Sequence, residues 1–208
     1  MSDYRPPIAI LDYRMGNLRS VQKALQLVGA NAWIATVPEQ IQGAVGLVLP
    51  GVGAFGDAMT NLRNLGFISA IMHTVNAGLP LLGICVGLQV LFEASSEMGE
   101  HRGLGLLSGL VVRFSPPLVV PHVGWNQLHI RRQHFLVESL PDGSHAYFTH
   151  SYYAKPADER TIVATTDYGV HFASIVAQEN ICGVQFHPEK SWRVGLRMLA
   201  NFVQSLRQ

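Results

Sequence analysis

Charge is scarce in this sequence, cysteine scarcer still, and no apolar stretch is long. Aspartate, glutamate, lysine and arginine together make up 14% of the 208 residues and leave a formal net charge of +1. A nearly neutral chain, without a basic run interleaved with aromatics, offers nucleic acid no broad electrostatic attraction. A small-molecule substrate is expected instead. The 2 cysteines, Cys85 and Cys182, lie far apart and make neither a disulfide framework nor a zinc-ligand cluster. No uncharged apolar run approaches the roughly 18 residues of a membrane helix. After Met1-Ser2-Asp3-Tyr4-Arg5, the first apolar run stops at Asp12, which does not read as a secretory signal. These absences point to a soluble cytoplasmic protein. What is abundant is apolar residue, at 48%. That fills a large core, argues against disorder and suits one domain of ordinary size.

The first half alternates strand-like and helix-like segments. Ile8 to Leu11, Asn31 to Ala35, Gly46 to Leu49 and Pro80 to Ile84 read as short buried strands. Leu18, Val21, Leu25 and Val28 recur at helical spacing, and Gly29 offers a stop. A second helical stretch runs from Leu62 to Ala77, with an interruption expected at Gly66, and Val86 to Phe92 starts another. Apolar strands with intervening helices imply a parallel sheet covered on both faces. The second half is a series of short strands: Leu110 to Phe114, Trp125 to Ile130, Ala146 to Thr149, Ile162 to Thr166, Phe172 to Gln178 and Ile181 to Gln185. Turn residues separate them. A final helix spans Trp192 to Leu206. The fold class expected is α/β, one domain, with a mixed, mostly parallel sheet flanked by helices.

The sharpest local signal is Gly83-Ile84-Cys85-Val86-Gly87, between an apolar strand and a helical stretch. It has the layout of the glycine-x-serine-x-glycine elbow of hydrolases, with cysteine in place of serine. A tight strand-to-helix turn pushes the nucleophile clear of the backbone, and glycines on each side let the turn close. A helix N-terminus beneath the sulfur favours the thiolate, and the Val86 N–H would point toward an oxyanion. The competing reading is a buried cysteine beside two packing glycines. Cys182, in a strand-like run without such a turn, reads as buried and inert.

Gln185-Phe186-His187-Pro188-Glu189 follows another apolar run. Proline biases His187 toward extended backbone, where residues i and i+2 point the same way. Glu189 could then orient His187 while the other ring nitrogen faces Cys85, as a thiol nucleophile requires. A structural or exposed histidine, or a fragment of a metal site, are the competing readings. Gly51-Val52-Gly53-Ala54-Phe55-Gly56 fits the dinucleotide pattern after a strand, but no acidic residue lies in Ile68 to Gly78 to hold a ribose. A better use is an oxyanion strand, with Val52 and Val86 as two donors. A simple strand-ending turn is the competing reading.

Together these pieces resemble the class I glutamine amidotransferases, and more closely the glutaminase subunits of imidazole glycerol phosphate synthases of histidine biosynthesis. The resemblance covers nearly the whole chain. It includes Asp12-Tyr13 with Gly16 to Ser20, Pro50 to Gly56, Gly83 to Gln89, Pro121 to Asn126, Tyr147 to Tyr153 and Gln185 to Ser191. It implies Cys85 as nucleophile, His187 as base and Glu189 as orienting acid. It places Gly51, Val52 and Val86 in the oxyanion region, and Gln89, Glu97, His150, Ser151 and Tyr152 around the glutamine pocket. Glu97 would be the counter-charge for the substrate's α-ammonium; a solvated surface charge is its alternative. His122, Trp125 and Asn126 match the face toward a separate (β/α)-barrel synthase subunit, although Trp125 alone is as easily a core residue. The implied domain spans residues 1–208 and the implied assembly is a heterodimer. The implied chemistry is amide hydrolysis through a γ-glutamyl thioester, for which no metal or organic cofactor is needed. Rival readings are another amidotransferase or γ-glutamyl hydrolase on the same scaffold, or an inactive docking subunit. Arg14 stands where the family commonly has glycine, which leaves that loop's details open.

Overall fold

Residues 4–207 are described by a computed structural model; Met1 to Asp3, part of the N-terminal signal reading, lie outside them. The chain opens with β1 (Pro7–Leu11), α1 (Leu18–Leu27), β2 (Asn31–Ala35) and β3 (Gly46–Gly51). There follow α2 (Phe55–Asn64), α3 (Phe67–Asn76), β4 (Leu81–Cys85) and a single helical turn, α4 (Val86–Gln89). β3 and β4 are buried at every position, as strands covered on both faces must be. α1 buries Val21, Ala24 and Leu25; of the stripe that the spacing marked, Leu18 and the flanking Val28 are only half-buried against the core. The helical stretch expected over Leu62 to Ala77, with its interruption at Gly66, is two helices. Gly66 takes a left-handed φ of 75°, which ends α2's course and lets α3 begin. α2 also starts earlier than expected, inside the glycine-rich segment.

Beyond α4 lie β5 (Phe92–Ser95), β6 (His101–Arg102), β7 (Leu107–Arg113), β8 (His122–Ile130), β9 (Ser144–His150) and β10 (Tyr152–Pro156). The chain ends with β11 (Ile162–Asp167), β12 (His171–Gln178), β13 (Ile181–Val184) and α5 (Trp192–Ser205). The main sheet has nine strands, ordered β2-β1-β3-β4-β13-β12-β11-β8-β9. From β2 to β13 every pairing is parallel. From β13 to β9 every pairing is antiparallel. β13 is the seam, since it pairs parallel to β4 on one side and antiparallel to β12 on the other. α1 packs with α5, and α2 with α3 and α4, so helices flank the sheet. The expected α/β fold with a mixed sheet is the one observed, but the sheet is evenly divided rather than mostly parallel, because the second half returns through short antiparallel strands.

A second sheet, β10-β7-β5-β6, was not expected. It replaces the helix read from Val86 to Phe92. The helical turn closes with Val90 N–H to the Val86 carbonyl, and Phe92 then joins β7 in parallel register. A short apolar run carries no periodicity that separates a buried strand from a helix. Among the described residues no helix is long and apolar enough to cross a membrane.

Candidate active site

The parallel strands end at one rim, and Cys85 stands there. It is the last residue of β4 and has φ 56°, ψ −111°, a conformation that non-glycine residues rarely adopt. The flanking glycines make this possible. A Cβ on Gly87 would run into the Leu49 carbonyl, and one on Gly83 would sit 2.7 Å from the Gly87 carbonyl oxygen. The expected elbow is therefore present, with the backbone strain that such turns store. The helix beneath it is only one turn long. Its dipole is correspondingly slight, so the helix N-terminus expected beneath the sulfur is a weak one. The Gln185 amide nitrogen lies 3.8 Å from the Cys85 sulfur, and the Thr149 carbonyl oxygen 4.0 Å.

His187 and Glu189 meet as expected, but by a different device. β13 ends at Val184, and His187 precedes a short 3-10 turn over Pro188–Lys190. That turn, rather than strand alternation, brings the Glu189 Oε1 to 3.0 Å from His187 Nδ1. The backbone is pinned on both sides: His187 N–H donates to the Tyr147 carbonyl, and the Ser191 hydroxyl donates to the His187 carbonyl. Both side chains are almost fully buried, at 2% and 1% exposure. His187 Nε2 is buried with no hydrogen-bond partner of good geometry, and the Cys85 thiol lies beside it. Burial pulls the His187 pKa down, but the Cys85 and Glu189 groups outweigh it and push the value up to about 9. A ring made more basic and set between a thiol and a carboxylate is the arrangement that a base for a thiol nucleophile needs.

Cys85 opens into a cleft of about 190 Å³ lined by Val52, Gly53, Gln89, Glu97, Ser151 and Tyr152, among others. Drug-sized ligands usually occupy about 300–1,000 Å³, so the cleft suits a molecule of amino-acid size. All five residues expected around a glutamine pocket line it, His150 included. Gly51 pairs with Cys85 across β3 and β4, and Val86 lies against it. The oxyanion candidates are thus neighbours of the sulfur. Val52 lines the mouth and is 47% exposed.

Glu97 does more than expected. Its Oε2 accepts the Phe55 N–H at 2.7 Å, at the N-terminus of α2. The strand–glycine–helix geometry of a dinucleotide site is present here, but a protein carboxylate occupies the place of a pyrophosphate. The interface candidates divide between two faces of β8. His122 is buried and Asn126 half-buried on the inner face, whereas Trp125 is 52% exposed and Val123 is exposed beside it. His122 therefore cannot present its side chain to a partner, because alternation along the strand turns it inward. Trp125 is not a core residue.

Sequence reasoning missed Gln185 and Tyr13 as parts of the site. Gln185 is fully buried and accepts from Gln89 Nε2 at 3.2 Å. A glutamine closing an apolar strand was the available signal, since buried polar groups need partners. Tyr13 is fully buried against Gly51 with no partner for its hydroxyl; burial, and secondarily Cys85, hold its pKa well above the usual phenol range. Cys182 sits mid-strand in β13, and burial pushes its thiol up to about 12. It is an inert packing residue.

Residues 9–206 match the class-I glutamine amidotransferase family. The chain is 50% identical over 201 residues to the imidazole glycerol phosphate synthase subunit HisH of Moorella thermoacetica, covering 97% of this chain and 96% of that one. It is 48% identical to the subunit of the same name from Aquifex aeolicus, covering 93% and 94%. Among solved structures, PurLQS from Thermotoga maritima aligns with a TM-score of 0.80 at 17% identity, over 98% of this chain and 100% of that one. A structure described as a glutamine amidotransferase aligns at 0.75 and 22% identity, over 96% and 97%. At those identities the two structures speak for the fold alone. The chain belongs to the class-I glutamine amidotransferase family.

Proposed function

We propose that this chain is the glutaminase subunit of an imidazole glycerol phosphate synthase, with Cys85, His187 and Glu189 as its catalytic triad. The observation that carries the reading is the buried His187–Glu189 pair beside a strained cysteine elbow at the floor of an amino-acid-sized cleft. His187 takes the Cys85 proton, and the thiolate attacks the side-chain amide carbon of L-glutamine. Glu189 fixes the ring and stabilises its charged form. The backbone N–H groups of Val52 and Val86 receive the developing oxyanion, with Gly51 leaving the space that this approach requires. Collapse expels the amine with a proton from His187, leaving a γ-glutamyl thioester and ammonia. Water, deprotonated by His187, then releases glutamate and regenerates the thiol.

Glu97 at the mouth supplies negative charge for the substrate ammonium, while Gln89, His150, Ser151 and Tyr152 form the wall that positions the amide. The ammonia passes to a separate (β/α)-barrel synthase subunit in a cytoplasmic heterodimer. Trp125 and Val123 are the apolar residues of β8 that would meet that subunit. The names of the close relatives support this pairing over other amidotransferases. An electrophilic glutamine analogue should label Cys85 and spare Cys182. Glutamate release, followed for the chain alone and with candidate synthase subunits, separates this reading from a docking subunit. Labelling of Cys182 alone would end the triad assignment.

A further inference from the structure

Two buried histidines lie outside the triad, and their hydrogen bonds form one chain. His122 on β8 and His150 on β9 are cross-strand partners, with His122 Nδ1 3.0 Å from His150 Nε2. His150 Nδ1 lies 2.8 Å from the Tyr152 carbonyl oxygen. The Asn126 amide nitrogen lies 3.3 Å from His122 Nε2 and 2.9 Å from the Asp167 carbonyl oxygen.

Two carbonyls decide where every proton sits. The Tyr152 carbonyl only accepts, so His150 carries its proton on Nδ1 and presents Nε2 as an acceptor. His122 must then donate from Nδ1, which leaves its Nε2 to accept from Asn126. The Asn126 amide gives its second proton to the Asp167 carbonyl. Burial, which pulls His122 down to about 4 and His150 to about 3, keeps both rings neutral. Aromatic rings hold them in place: His122 stacks on Tyr168 with centroids 4.0 Å apart and on Phe148 at 5.1 Å.

The chain continues past Tyr152. The same carbonyl accepts from Gln89 Nε2 at 2.9 Å. Gln89 Nε2 also donates to Gln185 Oε1, and Gln185 Nε2 reaches the Cys85 sulfur. Thus polar contacts run without a gap from the Asn126 amide on β8 to the nucleophile, through three residues that line the cleft.

We propose that His122 and Asn126 are positioning residues, holding the glutamine pocket through a tautomer-locked imidazole relay that ties β8 to the Tyr152 carbonyl. The inference rests on the glutaminase reading for its kinetic consequence, but the tautomers can be read independently. Selective ¹⁵N-histidine NMR at pH 7 should find both rings neutral and protonated on Nδ1. Either ring protonated on Nε2, or charged, overturns the relay. In the complex with its synthase subunit, His122→Phe keeps the stacking ring but removes the donor. It should raise the KM for glutamine about tenfold and change kcat less than about threefold. Asn126→Ala should raise KM about threefold, and His122→Gln, whose amide can still donate, should recover part of the His122→Phe loss. Unchanged KM in both the His122→Phe and Asn126→Ala variants overturns the proposal, even if their melting temperatures fall. Analogue labelling of wild-type Cys85 tests the glutaminase reading separately, and its absence would sink that reading while the tautomers still decide the relay.

Discussion

The two halves of the main sheet meet at β13 and contribute differently to the site. The parallel half delivers Cys85, the proposed nucleophile, and the glycine strand at adjacent strand ends, through short local devices. The antiparallel half delivers buried side chains from long-range pairings: His150 on β9, and His122 on β8 beneath it. β13 leads out of the seam toward His187, so the proposed base stands where the two halves join. The difference is one of task. Parallel strand ends converge on a crevice, where a tight turn can expose a reactive atom. Antiparallel strands alternate inward and outward, so one strand can hold a buried relay on one face and a partner surface on the other.

The comparison breaks most severely at the elbow. Cys85→Ala should lower glutamine hydrolysis about 10⁶-fold, to background, with the circular dichroism spectrum unchanged, because a smaller side chain fits the same turn. A folded variant that retains activity would move the nucleophile elsewhere. At the seam, Glu189→Gln should reduce kcat about 10²- to 10⁴-fold with little change in KM, as expected for a group that orients and charges the base. Steady-state kinetics decide this, and a rise in KM at constant kcat would make Glu189 a substrate ligand instead.

On the antiparallel side, Trp125→Ala should weaken binding of the proposed synthase subunit by about tenfold, since exposed aromatics often anchor interfaces. Titration calorimetry with that subunit checks it; an unchanged Kd would free this face from the interface. The buried histidines give a pH signature of the same half. Both would take protons near the ordinary 6.5 when unfolded but stay neutral when folded, at about 4 for His122 and about 3 for His150. The unfolded chain therefore binds more protons below pH 6.5. Their contribution to stability is complete above that value and lost as pH falls through about 4 toward 3. Urea unfolding at pH 7, 6 and 5 should show this decline, and His122→Phe should make it shallower.

The smallest effect belongs to the second cysteine. Cys182→Ala should leave kcat within about twofold and cost about 1–2 kcal/mol of stability, as a small buried truncation does. Activity is the sharper readout, since Cys182 and Cys85 lie on neighbouring strands but only Cys85 occupies the turn.

Much of the first half was legible because its signals are local. The apolar runs of β1, β3 and β4, the stripe of α1, the break at Gly66 and the elbow around Cys85 each depend on residues a few positions apart. The pairing of His187 with Glu189 was also local, though a 3-10 turn rather than an extended strand achieves it. The composition and these motifs determined an apolar α/β domain and its candidate nucleophile, base and acid. Only the tertiary structure decided that Phe92 enters a second sheet, that Glu97 caps α2, that Gln185 reaches the sulfur and that His122 faces His150. The side-chain contacts among them join residues 28 to 100 positions apart. No periodicity encodes them, because they exist only after strand order and register bring the side chains together and burial obliges each polar group to find a partner.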